Sequence, residues 1–179
     1  MTVDDNTLLK MLASPETKRK AFGLIVSQYS EMLYWKIRHF VLYHDDADDV
    51  MQNVLMKAWM NIDRFKADSK ISTWLYSIAV NESLDFLRRK KNVADADADL
   101  YAARHLMADE YFDGDATEAL LQEAIARLPD MQRTVFLLRY YDEMKYSEMS
   151  KMLERTEGAL KANYHIAAQK VLDYIKQRD

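Results

Sequence analysis

Apolar side chains recur every three or four residues along most of this chain, and little interrupts them: its 179 residues include three glycines and two prolines. With so few turn-forming residues, helices are the main way left to satisfy the backbone. Helical spacing runs through Phe22, Ile25, Val26, Tyr29, Leu33, Ile37, Phe40 and Val41. It follows Ser14-Pro15, an N-cap with proline at the first helical position. His44-Asp45-Asp46 breaks the pattern, and its carboxylates suit the positive end of a second helix that carries Val50, Val54, Leu55, Ala58 and Ile62 inward. A polar connector leads to a third helix, Ile71 to Lys91, with a cap expected at Ser69 or Ser72. No strand-like alternation of useful length occurs, and there is no internal repeat.

Periodicity fades between Asn92 and Ala116, where acid dominates. Residues 93–118 hold Asp95, Asp97, Asp99, Asp109, Glu110, Asp113, Asp115 and Glu118 against Arg104 alone among the arginines and lysines. Beyond it, Thr117 can cap a helix carrying Leu120, Leu121, Ala124, Ile125 and Leu128, which Pro129 ends. Three more helices are expected near 130–142, 147–153 and 157–177. The expected fold is all-α: two small helical domains, 1–92 and 117–179, joined by a flexible acidic linker at 93–116 with room for a short helix near Leu106.

The composition narrows the function. Hydrophobic residues make up 49% of the chain, enough for a core in each half. The absence of cysteine excludes disulfides, thiolate catalysis and cysteine-based zinc sites and fits a reducing cytoplasm. The first residues, Met1-Thr2-Val3-Asp4-Asp5, are acidic, unlike a signal peptide, and no apolar run nears membrane-spanning length. The net charge of −4 argues against a simple nucleic-acid binder, but outside the acidic block the remainder is mildly positive. With three glycines there is no phosphate-cradling loop, and His39, His44, His105 and His165 are scattered, so no catalytic site is expected.

Two segments carry candidate chemistry. In the C-terminal one, Met149, Met152 and Leu153 give a short helix its apolar face. Glu154-Arg155-Thr156 makes a turn, and Leu160, Tyr164, Ala167, Ala168 and Val171 form the inward stripe of the next helix. This scans as helix-turn-helix and leaves Glu157, Lys161, Ala162 and His165 outward, where a recognition helix meets base edges. Lys161 can pair with phosphate or guanine, and His165 with either. A plain helical hairpin is the alternative. In the N-terminal segment, Trp59, Trp74 and Tyr76 lie near basic residues, Asn81 offers a donor and an acceptor, and Arg88-Arg89-Lys90-Lys91 attracts phosphate. The alternative makes the aromatics core residues and the basic run a solvated helix end. Asp45, Asp46, Asp48 and Asp49 suit a helix start better than a metal site, for which no regular ligand spacing is present.

Taken together, these residues resemble the extracytoplasmic-function sigma factors of bacterial RNA polymerase, from about Ala21 to Ile175. The segment Asp46 to Trp59 is similar to the family's Asp-Ala-Glu-Asp, apolar pair, Gln and closing aromatic. Phe65-Lys66-Ala67-Asp68-Ser69, Thr73-Trp74-Leu75 and Ile78-Ala79-Val80-Asn81 follow its pattern, as do Asp85-Phe86-Leu87-Arg88-Arg89, Leu128-Pro129, Gln132-Arg133 and Leu138-Arg139-Tyr140. Two departures stand out. Ala67 replaces a frequent glycine, and Gly158-Ala159-Leu160-Lys161-Ala162-Asn163 with Ile166-Ala167-Ala168 lacks several arginines the family uses on phosphate. Weak affinity for free DNA is therefore expected.

The resemblance implies a cytoplasmic alternative sigma factor, with a region 2-like bundle at 1–92 and a region 4-like helix-turn-helix at 117–179. Asp46, Asp49, Gln52 and Asn53 would dock on the β′ clamp helices of core RNA polymerase, whose β flap is a second implied contact of the chain. Phe65, Lys66, Ser69, Trp74, Tyr76, Asn81, Arg88 and Arg89 would melt and capture the −10 element. Arg139, Glu157, Lys161, Ala162 and His165 would read the −35 element, Arg139 from the phosphate side. The linker would thread toward the RNA exit path. A membrane-associated anti-sigma protein is the implied inhibitor, and no cofactor, metal, catalytic residue or membrane insertion is implied. The competing reading is a stand-alone helix-turn-helix regulator, which would need a dimer interface and tight duplex binding on its own.

Overall fold

The computed structural model describes residues 3–65, 68–93, 103–108 and 114–178, with backbone alone for 91–93. The described residues contain eight α-helices and no strand. They divide into two compact units, Met1–Asn92 and Val93–Asp179.

The first unit is built from α1 (Asp5–Leu12), α2 (Pro15–Phe40), α3 (His44–Asn61) and α4 (Ile71–Val93), with a 3-10 turn at Ile62–Arg64 after α3. α2 packs against both α1 and α3. Leu8, Ile25, Leu33, Ile37, Phe40, Val50, Val54, Ile71 and Leu75 are buried, which follows the helical spacing of the sequence. Helix α1 has no counterpart among the elements expected from sequence. Asp4 starts it by accepting from the Thr7 amide at 3.0 Å. Asp5 then joins three helices, accepting from the Tyr29 hydroxyl at 3.1 Å on α2 and from the Ile71 amide at 3.0 Å at the head of α4. The start of α4 is therefore held by a residue 66 positions away, not by Ser69 or Ser72. At the head of α2, Ser14 holds the N-cap position through its backbone, with Pro15 next, and its side chain makes no cap bond.

The second unit comprises α5 (Ala116–Ala126), α6 (Asp130–Tyr140), α7 (Tyr146–Leu153) and α8 (Glu157–Lys176). Each of the other three helices packs against α8, which serves as the spine. Asp115, not Thr117, caps α5 by accepting from the Glu118 amide at 2.9 Å. The described part of the expected linker packs rather than hanging free: Ala103, and Leu106 of a 3-10 turn at Leu106–Ala108, are buried.

This unit's polar side chains are drawn inward. Buried Glu123 accepts from Tyr174 at 2.6 Å, Arg104 at 3.0 Å, Arg178 at 3.4 Å and Arg127 at 3.5 Å. Burial pushes its carboxyl up, but the bonds from Tyr174 and Arg104 and the charges of Arg178 and Arg127 outweigh that and hold it below its ordinary value. Tyr141 donates to Glu118 at 2.6 Å and accepts from Gln122 at 2.7 Å. Burial, then the Glu118 carboxylate, pushes the Tyr141 phenol far above its ordinary range.

Candidate nucleic-acid interface

In the first unit, α4 places Trp74, Ile78, Asn81 and Glu82 along one face, at the three- and four-residue spacing that aligns side chains on a helix. Lys57 and Asn61 near the end of α3, with Arg64 from the 3-10 turn, face them. Together the seven enclose a cleft of about 360 Å³. The Phe65 ring lies 5.0 Å from that of Trp74, tilted by 32°, and extends the aromatic wall. Glu82 is buried and paired with Lys57. Asn61 donates to the Lys57 carbonyl at 2.8 Å, so its amide holds the α3 end. The Asn81 side chain is exposed, and Trp74 is half-buried. A half-open indole, an exposed amide and flanking cations suit a planar, hydrogen-bonding ring taken out of a base stack.

The other expected −10 residues are not all gathered there. Tyr76, two positions from Trp74, turns into the core, with the Lys36 ammonium 4.4 Å from its ring centroid. Ser69 is exposed at the connector; Lys66 lies outside the described residues. Arg88 and Arg89 are exposed farther along α4, Arg88 paired with Asp85 at 3.2 Å.

On α3, Asp49 and Gln52 are exposed and Asn53 is half-exposed. Asp46 differs: it holds Lys90 of α4 at 2.6 Å and is partly covered. The stripe of Asp49 and Gln52 continues through Met56 and Met60, whose exposures of 57% and 71% make them unusual for methionine. Sequence reasoning missed both; the available signal was a long apolar side chain off the buried Val50–Val54–Ala58 line. Trp59 borders them, its ring 5.0 Å from Phe22 with the Lys18 ammonium 5.3 Å away. Among the described residues, no group of three histidine, cysteine or acidic side chains could hold a metal ion.

In the second unit, α7 and α8 form the helix-turn-helix. Glu154 makes the turn in the left-handed region at φ 53°, and Thr156 caps α8 by accepting from the Ala159 amide at 3.3 Å. Glu157, Lys161, Ala162 and His165 are exposed on α8. Lys161 leans back, 3.8 Å from the Glu157 carboxylate and 5.6 Å from the Tyr146 ring centroid. Arg139 is engaged within the protein. Its Nη1 donates to the Glu143 carbonyl at 3.2 Å and the Met144 carbonyl at 3.0 Å. It thereby pins the turn in which Glu143 takes φ 50°.

The Sigma-70 region 2 family model matches residues 25–93, and the Sigma-70 region 4 model matches residues 118–171. The ECF RNA polymerase sigma factor SigW of Bacillus subtilis is 33% identical over 156 residues, covering 81% of this chain and 83% of its own. The RNA polymerase sigma-H factor of Pseudomonas aeruginosa is 27% identical over 164 residues, covering 86% and 85%. In fold, the chain is similar to the sigma factor RpoE of Bartonella quintana, solved in complex with the anti-sigma factor NepR. That likeness has a TM-score of 0.66 at 21% identity and covers 88% of this chain and 98% of the other. The chain belongs to the extracytoplasmic-function sigma factors of the sigma-70 family. It is an alternative sigma factor that binds core RNA polymerase and directs transcription initiation at promoters; nothing among these relatives supports a stand-alone regulator.

Proposed function

We propose that the two units divide the work of a sigma factor as the sequence pattern suggests. In this reading residues 1–92 dock on the β′ clamp helices and open the −10 element, 93–116 link, and 117–179 read the −35 element and meet the β flap. The docking surface is the outer stripe of α3: Asp49, Gln52 and Asn53, extended by Met56 and Met60. Asp46 supports that stripe by tying α3 to α4 through Lys90. The single observation that carries the reading is the cleft in which Trp74 and Asn81 meet beside Lys57 and Arg64. A flipped non-template base fits it chemically: its π-face against the indole, its edge toward the Asn81 amide, its phosphates toward the cations. Arg88 and Arg89 attract the adjoining backbone. The −35 element faces Glu157, Lys161, Ala162 and His165, while Arg139 acts indirectly by fixing the turn before α7.

On this reading the chain has no catalytic residues of its own, and the polymerase does the chemistry. No helix among the described residues is long and apolar enough to cross a membrane, and we place the protein in the cytoplasm, where its polymerase works. The complex of RpoE with NepR supports an anti-sigma protein as inhibitor here as well.

Base–aromatic stacking contributes about 1–3 kcal/mol. Trp74→Ala should therefore slow promoter opening by about fivefold or more, read as fluorescence of 2-aminopurine placed in the −10 non-template strand of a holoenzyme complex. Co-elution with core polymerase should be unchanged. Opening at the wild-type rate would remove Trp74 from base capture.

A further inference from the structure

Recognition helices specify guanine mainly through arginine or lysine, whose donors reach its O6 and N7. Helix α8 has little to offer in that respect. Successive residues turn by about 100° around a helix axis. With Leu160, Ala167 and Val171 buried, the opposite line runs through Gly158, Ala162 and Gln169, flanked by His165 and Ile166. Three of the polar side chains around this front have partners within the unit, while His165 is exposed. Lys161 leans onto Glu157 and Tyr146, the Asn163 amide donates to the Ala159 carbonyl at 2.8 Å, and the Gln169 amide donates to Asp173 at 2.9 Å. Beside them Ile166 stands 45% exposed. An isoleucine and an alanine one turn apart on the outward side of a recognition helix have no donors or acceptors. The C5-methyl of thymine is the apolar feature of the major-groove edge.

We propose that α8 reads the upstream promoter element chiefly through thymine methyl groups packed against Ala162 and Ile166, not through guanine. The inference rests on the assignment of α8 to the −35 element. One helical turn advances about 5.4 Å and one base-pair step about 3.4 Å, so the two thymines should lie about two steps apart. Removing a methyl contact should cost about fourfold, the equivalent of one buried methylene.

The test uses holoenzyme assembled from the full chain and core polymerase. A duplex promoter library randomised across the upstream element is selected for initiation and sequenced. Selection of T·A pairs at two positions about two steps apart is the expected result. Replacing either thymine by deoxyuridine should then lower initiation about fourfold, and Ile166→Ala should abolish that sensitivity at one of the two positions while leaving the other. Selection of guanine at those positions, or equal initiation on uracil and thymine templates, overturns the proposal alone. A holoenzyme that initiates from the −10 sequence with no upstream base preference overturns the −35 assignment and the proposal with it.

Discussion

Both units bury polar side chains, but they differ in which ones they leave at the surface. In the first, an apolar core carries much of the fold, and Trp74, Asn81, Arg64, Arg88 and Arg89 remain at the surface, around the cleft or along α4 beyond it. In the second, Arg104, Arg127 and Arg178 converge on Glu123, Arg139 closes a turn, and Tyr141, Gln122 and Glu118 bond to one another. Helix α8 is left with few unengaged polar groups on its outward face. On the proposed division of work, the unit that opens DNA keeps aromatic and cationic groups available. The unit proposed to contact DNA as part of a larger assembly uses its charges to hold its own shape and binds the duplex weakly alone.

The strongest way to break this comparison is to remove the hub of the second unit. Glu123→Ala leaves three guanidiniums without their carboxylate. It should destabilise that unit by about 2 kcal/mol, below the full effect of breaking a buried pair because the arginines are partly exposed. All three tryptophans, Trp35, Trp59 and Trp74, lie in the first unit. Urea unfolding followed by circular dichroism should therefore shift while the tryptophan signal keeps its midpoint; a joint shift would show that Glu123 does not act locally. Acid should reproduce the effect. The folded carboxyl titrates below its usual 4.5, so its contribution is present at neutral pH and disappears as pH falls from that value through the depressed one. Glu123→Ala should flatten this acid dependence.

The converse test belongs to the first unit. Asp5→Ala removes the acceptor for the Ile71 amide and the Tyr29 hydroxyl and should cost about 1–2 kcal/mol. The tryptophan transition should move and the second unit should not; an unchanged transition would mean that α4 is held by its apolar face alone. A smaller effect sharpens the account of the turn. Glu154 sits in the left-handed region without being glycine, so Glu154→Gly should raise the second unit's stability by up to about 1 kcal/mol. A loss instead would show that the Glu154 side chain matters more than its backbone strain.

Much of this architecture was legible in the sequence. Helical spacing marked α2 through α8 because each has one apolar stripe, and Thr156 marked the start of α8 because N-capping is local. What escaped was mostly long-range. The cap on α4 comes from Asp5, and Asp46 is drawn to Lys90, 44 residues on; no local pattern encodes either pairing. Tyr76 escaped for a different reason. It lies about 200° around α4 from Trp74, so of two aromatics two positions apart one is buried and the other half-open. Arg139 was read as a phosphate ligand because arginine suits that task; its bonds to the carbonyls of its own turn were not foreseen. The cleft itself was half legible: Trp74 and Asn81 were identified, whereas Lys57 of α3, Arg64 of the 3-10 turn and Glu82 of α4 come together only in the folded unit.

The most direct test of the central claim is to mix the purified chain with core RNA polymerase lacking any sigma subunit and follow the mixture by size-exclusion chromatography. The account predicts co-elution in a one-to-one complex, with weak binding of the free chain to duplex DNA. Failure to co-elute, together with tight duplex binding by the chain alone, would contradict it.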